Sequence, residues 1–123
     1  MTSARCHISK IAHLEPAEFF RLYGQHITPL CEIEIGRVDD RWYVCASASW
    51  ASGGFGGPLA WTPEQPDRGA HDTREQAIAA GIAEARRRMG GAPERETVKH
   101  HAWLDQLEER EVRQADLFAD RSA

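Results

Sequence analysis

The stretch that decides the fold is CEIEIGRVDDRWYVCASASW, residues 31–50. In its first half, apolar residues alternate with glutamates, which is the period-two pattern of a half-buried β-strand. The second half carries five apolar residues of one parity: Trp42, Val44, Ala46, Ala48 and Trp50. The DDR segment between the two halves is typical of a turn. Residues 31–50 therefore predict a β-hairpin whose tryptophan face is covered by a helix, with the serines and Tyr43 pointing outward.

Two helices are predicted after the hairpin. The first spans 73–89, where Thr73 and Gln76 match a capping box and Gly90 ends the helix. Its apolar stripe consists of Ala77, Ile78, Ile82, Ala85 and Met89. The second helix begins near Pro93 and extends to residue 113. Its thinner stripe consists of Val98, Ala102, Leu104, Leu107 and Val112.

The segments on either side of the hairpin complete the predicted fold. Residues 15–24 predict a short N-terminal helix, because Pro16 suits a first helical turn and Gly24 an exit. The segment PLAW, residues 58–61, is a candidate third strand. The expected fold is α+β: a three-stranded antiparallel sheet packed by the 73–89 helix, with a short N-terminal and a long C-terminal helix. Residues 1–91 would form the domain, 92–113 the C-terminal helix and 114–123 a tail.

Composition narrows the class of protein. The chain has 123 residues, of which 41% are hydrophobic and 28% charged, and this suits one globular domain. A net charge of −4 argues against a nucleic-acid binder that acts through bulk charge. No signal peptide or membrane-spanning segment is visible, and Cys31 and Cys45 read as buried, reduced thiols. These features predict a cytoplasmic protein without a membrane partner.

The sequence shows no grouping typical of catalysis, a cofactor or a metal. The loop SGGFGGP lacks the Lys-Ser/Thr of a phosphate-binding P-loop, and a connection between strands explains it better. Of the six histidines, His100 and His101 are adjacent, so on a helix they point about 100° apart and form a poor metal pair. No Ser/His/Asp or Cys/His set stands out. We therefore predict no enzyme activity, no cofactor and no metal.

Four arginines are candidate contacts to nucleic acid: Arg74, Arg86, Arg87 and Arg88. Guanidinium groups bind phosphates well, and three of these are consecutive near the end of the first predicted helix. The alternative is that the consecutive arginines stabilise the negative end of the helix dipole and remain solvated.

The helix entry DTREQAIAAGIAEA, after two or three predicted strands, resembles that of HicB-type antitoxin domains. In that family a small sheet precedes a helix that opens on T-x-E-E-A. The resemblance covers residues 31–89 and implies a small sheet with one helix. The chain lacks the segment P-D-x-P-G on its hairpin, so the resemblance says little about function.

The tail carries QADLF, residues 114–118. This word resembles the Gln-x-(Ser/Asp)-Leu-Phe motif by which bacterial polymerases and repair proteins bind the sliding clamp. The resemblance implies that Gln114 hydrogen-bonds at a polar subsite and that Asp116 favours a bent approach. It also implies that Leu117 and Phe118 enter an apolar pocket. The alternative is that these two residues cap the domain's own core.

These observations predict a non-enzymatic adaptor protein of bacterial, plasmid or phage DNA metabolism, docked on the replication clamp by its tail. Its sheet domain would bind a second protein or nucleic acid. One alternative is a small antitoxin or anti-defence inhibitor that binds a nuclease or effector through its acidic surface. Another is a homodimer with residues 93–113 as its seam.

Overall fold

The computed structural model describes residues 18–56 and 69–122, and for residues 115–122 the backbone alone. Within these ranges the chain forms four strands followed by two helices: β1 (Glu18–Tyr23), β2 (Pro29–Val38), β3 (Arg41–Trp50), β4 (Gly53–Gly56), α1 (Arg74–Arg88) and α2 (Glu94–Ser122). The strands form one antiparallel sheet in the order β1-β2-β3-β4. The predicted α+β class is confirmed, but the sheet has four strands rather than three.

The predicted hairpin is confirmed as β2 and β3. Ile33 lies opposite Ala46 and Ile35 opposite Val44, so apolar side chains of both strands share one face. The turn residues Asp39 and Asp40 have φ values of 50° and 66°. Two left-handed residues make a two-residue turn whose twist matches that of the strands, and aspartate tolerates this conformation better than most residues.

The predicted N-terminal helix over 15–24 is wrong, because residues 18–23 form strand β1. Residues 15–17 lie outside the described residues. In β1, Phe20 pairs with Ile33 and Leu22 with Cys31, so both side chains join the apolar face of the hairpin. The aromatic run is too short to show either a helical or a strand period. Pairing with β2 therefore determines that it forms a strand.

The fourth strand arises from the glycine segment. Strand β4 places Phe55 opposite Ala48, on the apolar face of the sheet. A Cβ atom at Gly54 would lie 2.8 Å from the carbonyl oxygen of Ala48, so a residue without a side chain is needed there. The glycine therefore serves close strand pairing. The strand predicted at 58–61 lies outside the described residues.

Helix α1 packs across the apolar face of the sheet. Its capping box is present: Thr73 Oγ1 accepts from the Gln76 backbone N–H, and Gln76 Oε1 accepts from the Thr73 N–H. The predicted stripe is confirmed, because all five of its residues are buried. At Gly81, a Cβ atom would lie 2.6 Å from Val44 Cγ2, so the helix lies unusually close to β3.

Helix α2 joins the core through its first half. Leu104 and Leu107 are buried as predicted, whereas Val98 and Val112 are 57% and 55% exposed, which corrects the predicted stripe. Ala102, also in that stripe, is exposed. Thr97 and His100 take the inward positions instead. His100 turns inward because its Nε2 lies 2.8 Å from the carbonyl oxygen of Ser49 and satisfies it.

The second face of the sheet is buried at its centre as well. Tyr43 and Cys45 are only 2% and 5% exposed, so the prediction that Tyr43 points to solvent is wrong. Tyr43 lies opposite Gly36 on β2. Cys31 and Cys45 are both buried free thiols, as predicted.

Candidate functional site

The QADLF word occupies the distal part of α2. Leu107 is the last residue of α2 in the hydrophobic core formed by the described residues. The helical backbone continues from there to Ser122. At 1.5 Å per residue, position 118 lies about 16 Å beyond Leu107 along the helix axis. The helix thus includes residues 114–122 of the predicted tail, and the backbone of the docking word lies past the last core residue that the structure describes on α2.

The last side chains that the structure describes on α2 are solvated. Gln114 is exposed, as is Arg113, which forms an ion pair with Glu109 one helical turn earlier. Such a pair stabilises a helix by a few tenths of a kcal/mol, so the helix is only weakly reinforced at this point. For Asp116, Leu117 and Phe118 the structure gives the backbone only.

The first of the four candidate arginines connects α1 to β1. Arg74 donates from Nε and a terminal nitrogen to the two carboxylate oxygens of Glu18, at 2.9 Å each. Hydrogen bonds from Arg74 hold the pKa of Glu18 below its usual range. The same guanidinium lies 3.6 Å from Glu111 on α2. Arg74 therefore joins three elements in the described structure.

The other three arginines are also paired within the chain. Arg86 donates to Asp105 at 2.5 Å and to Glu108 at 3.1 Å, which connects α1 to α2. Arg87 and Arg88 both bind Glu84, and these hydrogen bonds lower its pKa. Arg74 lies about 18 Å from position 86 along α1. The structure does not bring the four arginines together. To bind nucleic acid, each guanidinium would have to leave its carboxylate partner and bind a phosphate instead.

A feature that the sequence analysis missed is a cleft of about 230 Å³ between α1 and α2. Its apolar lining consists of Ile78 and Ile82, which are buried, and Ala79 and Val112, which are exposed. Three carboxylates surround it: Glu75, Glu108 and Glu111. Val112 is the sequence feature that could have indicated this cleft. It is an apolar residue in a charged part of α2, and the predicted buried stripe includes it, whereas in the structure it lies at the mouth of the cleft.

The buried titratable groups favour structural roles. Burial raises the pKa of the Cys31 thiol to about 12, so it stays protonated and is a poor nucleophile. His100 uses Nε2 to bind a backbone carbonyl, and its Nδ1 is buried without a hydrogen-bond partner. Among the side chains that the structure describes, in 18–56 and 69–114, no three histidine, cysteine, aspartate or glutamate residues are arranged to hold a metal ion.

Comparison with known proteins finds no relative of this chain. No family model, no curated protein and no solved structure matches the chain. Neither of the helices in the described part of the chain is long and apolar enough to cross a membrane. Any functional conclusion therefore rests on the geometry of this chain and on the QADLF word.

Proposed function

We propose that this chain is a non-enzymatic adaptor protein of bacterial, plasmid or phage DNA metabolism that docks on the replication sliding clamp through residues 114–118. The observation that carries the proposal is the position of the word: it lies on α2 beyond Leu107, where the packing of that helix into the described core ends. Gln114, the first residue of the word, is exposed. The protein would act in the cytoplasm, beside the replication machinery.

The chemistry of the word fits a contact of moderate affinity. Complete burial of one leucine and one phenylalanine contributes roughly 3–6 kcal/mol before the cost of ordering the segment. A micromolar complex requires about 8 kcal/mol, and hydrogen bonds by Gln114 and the main chain would supply the remainder. Contacts of this strength suit an adaptor that must exchange on the clamp with other proteins.

Docking in the bent approach that the resemblance implies requires the end of α2 to open. The helical backbone includes the whole word, so residues 114–118 must leave the helix before they bind in that way. The cost is small, because the last turns of a helix fray with free energies near zero when no tertiary packing holds them. We expect opening to stop short of Glu111, whose ion pair with Arg74 connects α2 to α1.

The test is capture of the full chain by a purified bacterial sliding clamp. Leu117→Ala combined with Phe118→Ala should abolish capture, because both apolar anchors are removed. The matched control, Asp120→Ala combined with Arg121→Ala, alters the same helix end outside the word and should leave capture intact. The melting temperature should be nearly the same for the native chain and both variants.

Two results would overturn the proposal. Undiminished capture of the Leu117/Phe118 variant would show that these residues are not the anchors. A loss of several kcal/mol in unfolding free energy for that variant alone, with no capture of the native chain, would show that the pair caps the domain's own core.

A further inference from the structure

The cleft between α1 and α2 has an apolar base, and the charged side chains that line it are all acidic. Ile78 and Ile82 are almost fully buried at the base, and Val112 is 55% exposed at the edge. The volume of about 230 Å³ suits one large apolar side chain. A recess of this kind can bury much of the surface of an anchoring side chain, and binding hot spots are commonly found in such pockets.

The three carboxylates around the cleft are incompletely neutralised. Glu108 accepts from Arg86 at 3.1 Å, and Glu111 lies 3.6 Å from Arg74. The third, Glu75, is exposed and forms no ion pair with any residue in the described ranges. Counting these groups alone, three negative charges face two positive charges that are already shared with Glu18 and Asp105.

We propose that this cleft binds a protein segment that presents one bulky apolar side chain flanked by lysine or arginine. The apolar side chain would contact Ile78, Ile82 and Val112, and the flanking cation would lie beside Glu75. Charge complementarity favours a basic occupant over an acidic one. The chain's own tail is a poor occupant, because Asp116 and Asp120 flank its apolar pair and would face the acidic mouth.

This surface is separate from the clamp-docking word. Val112 precedes Gln114 on α2, and the cleft lies on the side of that helix that faces α1. The residues that line the cleft in the described structure therefore differ from those of the word. The inference holds whether or not the tail binds a clamp, and it supplies a chemical class for the second partner of an adaptor.

The experiment uses the full chain and a labelled synthetic peptide, measured by fluorescence anisotropy. The peptide is an amphipathic helix with leucine and phenylalanine one turn apart, flanked by lysines. Its twin carries glutamates in place of the lysines. We expect binding of the lysine peptide at micromolar concentration, at least tenfold weaker binding of the twin, and weakening of the lysine peptide at high salt.

Three variants locate the site. Val112→Asn should weaken binding about tenfold, because it places an amide at the apolar mouth. The matched control is Val98→Asn, on the same helix and equally exposed but outside the cleft, and it should bind like the native chain. Glu75→Gln should weaken binding of the lysine peptide and bring the affinities of the two peptides closer together, because it removes one of the charges that distinguish them.

The outcomes separate the alternatives. Equal binding of both peptides, or an equal effect of the Val98 and Val112 variants, would overturn the inference. Self-association of the native chain that Val112→Asn abolishes would assign the cleft to a second copy and would also overturn it. The Leu117→Ala, Phe118→Ala variant should bind the lysine peptide normally, which keeps this result distinct from failure of clamp docking.

Discussion

The two helices differ in how much of their length the core uses. Helix α1 has 15 residues and buries side chains in every turn from Ala77 to Met89. Helix α2 has 29 residues, yet its buried side chains within the described part end at Leu107. From Glu108 to Gln114 no residue is fully buried. The buried part of α1 thus spans most of the helix, whereas the backbone of α2 continues for 15 residues past Leu107, the last buried residue that the structure describes on it.

The largest effect should come from the anchored half of α2. Leu104 is completely buried among core residues from the sheet and α1, so Leu104→Ala should lower the free energy of unfolding by about 2–5 kcal/mol. Urea unfolding measures this loss. The matched control is Val98→Ala, whose side chain is 57% exposed on the same helix, and its effect should stay within about 0.5 kcal/mol. Equal losses for the two variants would contradict the assignment of Leu104 to the buried face of α2 and of Val98 to its exposed face.

A smaller effect is expected where α1 lies closest to the sheet. In Gly81→Ala the new methyl group would meet Val44 Cγ2 at 2.6 Å and Ile33 Cγ2 at 3.0 Å. Overpacking of this kind costs about 1–3 kcal/mol, and the better helix propensity of alanine returns up to about 1 kcal/mol. We expect a net loss near 1 kcal/mol in thermal or urea unfolding.

The control for that variant is Gly91→Ala, because a Cβ atom there has no heavy atom within 4 Å. Its unfolding free energy should match that of the native chain to about 0.5 kcal/mol. A gain in stability for Gly81→Ala would show that the contact between α1 and β3 is looser than the structure gives.

Local signals in the sequence were enough for the central part of the fold. The hairpin was predictable because alternation over 31–50 and the two aspartates of the turn lie within one short segment. Helix α1 was predictable because Thr73 and Gln76 mark its start and its stripe has a helical period. In each case the deciding interactions link neighbours in the chain.

Elements that depend on distant partners were not predictable. Strand β1 is a strand because Phe20 and Leu22 pair with Ile33 and Cys31 on β2, although the sequence around Pro16 imitates a helix start. The cleft forms because Ile82 of α1 and Val112 of α2 lie on either side of it. These residues are far apart in the sequence, so no short segment predicts that they come together. His100 faces the core because its Nε2 bonds to the Ser49 carbonyl on β3. The apolar periodicity of α2 does not reveal this contact, and it therefore predicted Val98 and Ala102 as buried instead.

The start of α2 should also respond to acid. Glu96 accepts hydrogen bonds from the Ser52 backbone N–H and hydroxyl, both at 2.7 Å, and these lower its pKa from the ordinary value of 4.5. A carboxylate with a lowered pKa in the folded state stabilises the fold above pH 4.5. That contribution is lost as the pH falls below 4.5 and through the folded-state pKa.

Glu96→Gln removes this titration, so its unfolding free energy should decline less steeply below pH 4.5 than that of the native chain. Urea unfolding at a series of pH values measures the two slopes, and Ser52→Ala should reproduce part of the change, because it removes the hydroxyl donor and keeps the backbone N–H. Parallel curves for the native chain and Glu96→Gln would show that the contact between α2 and the β3–β4 turn does not exist in solution.

The smallest effect on stability should come from the distal end of α2. A chain that ends at Arg113 keeps Leu104, Leu107 and the ion pair between Arg74 and Glu111, so its unfolding free energy should match the full chain to about 0.5 kcal/mol. Under the proposed function the same truncation abolishes clamp capture, because it removes the entire QADLF word. A loss of several kcal/mol would instead mean that the end of α2 belongs to the core, and the contrast between the two helices would then be one of length alone.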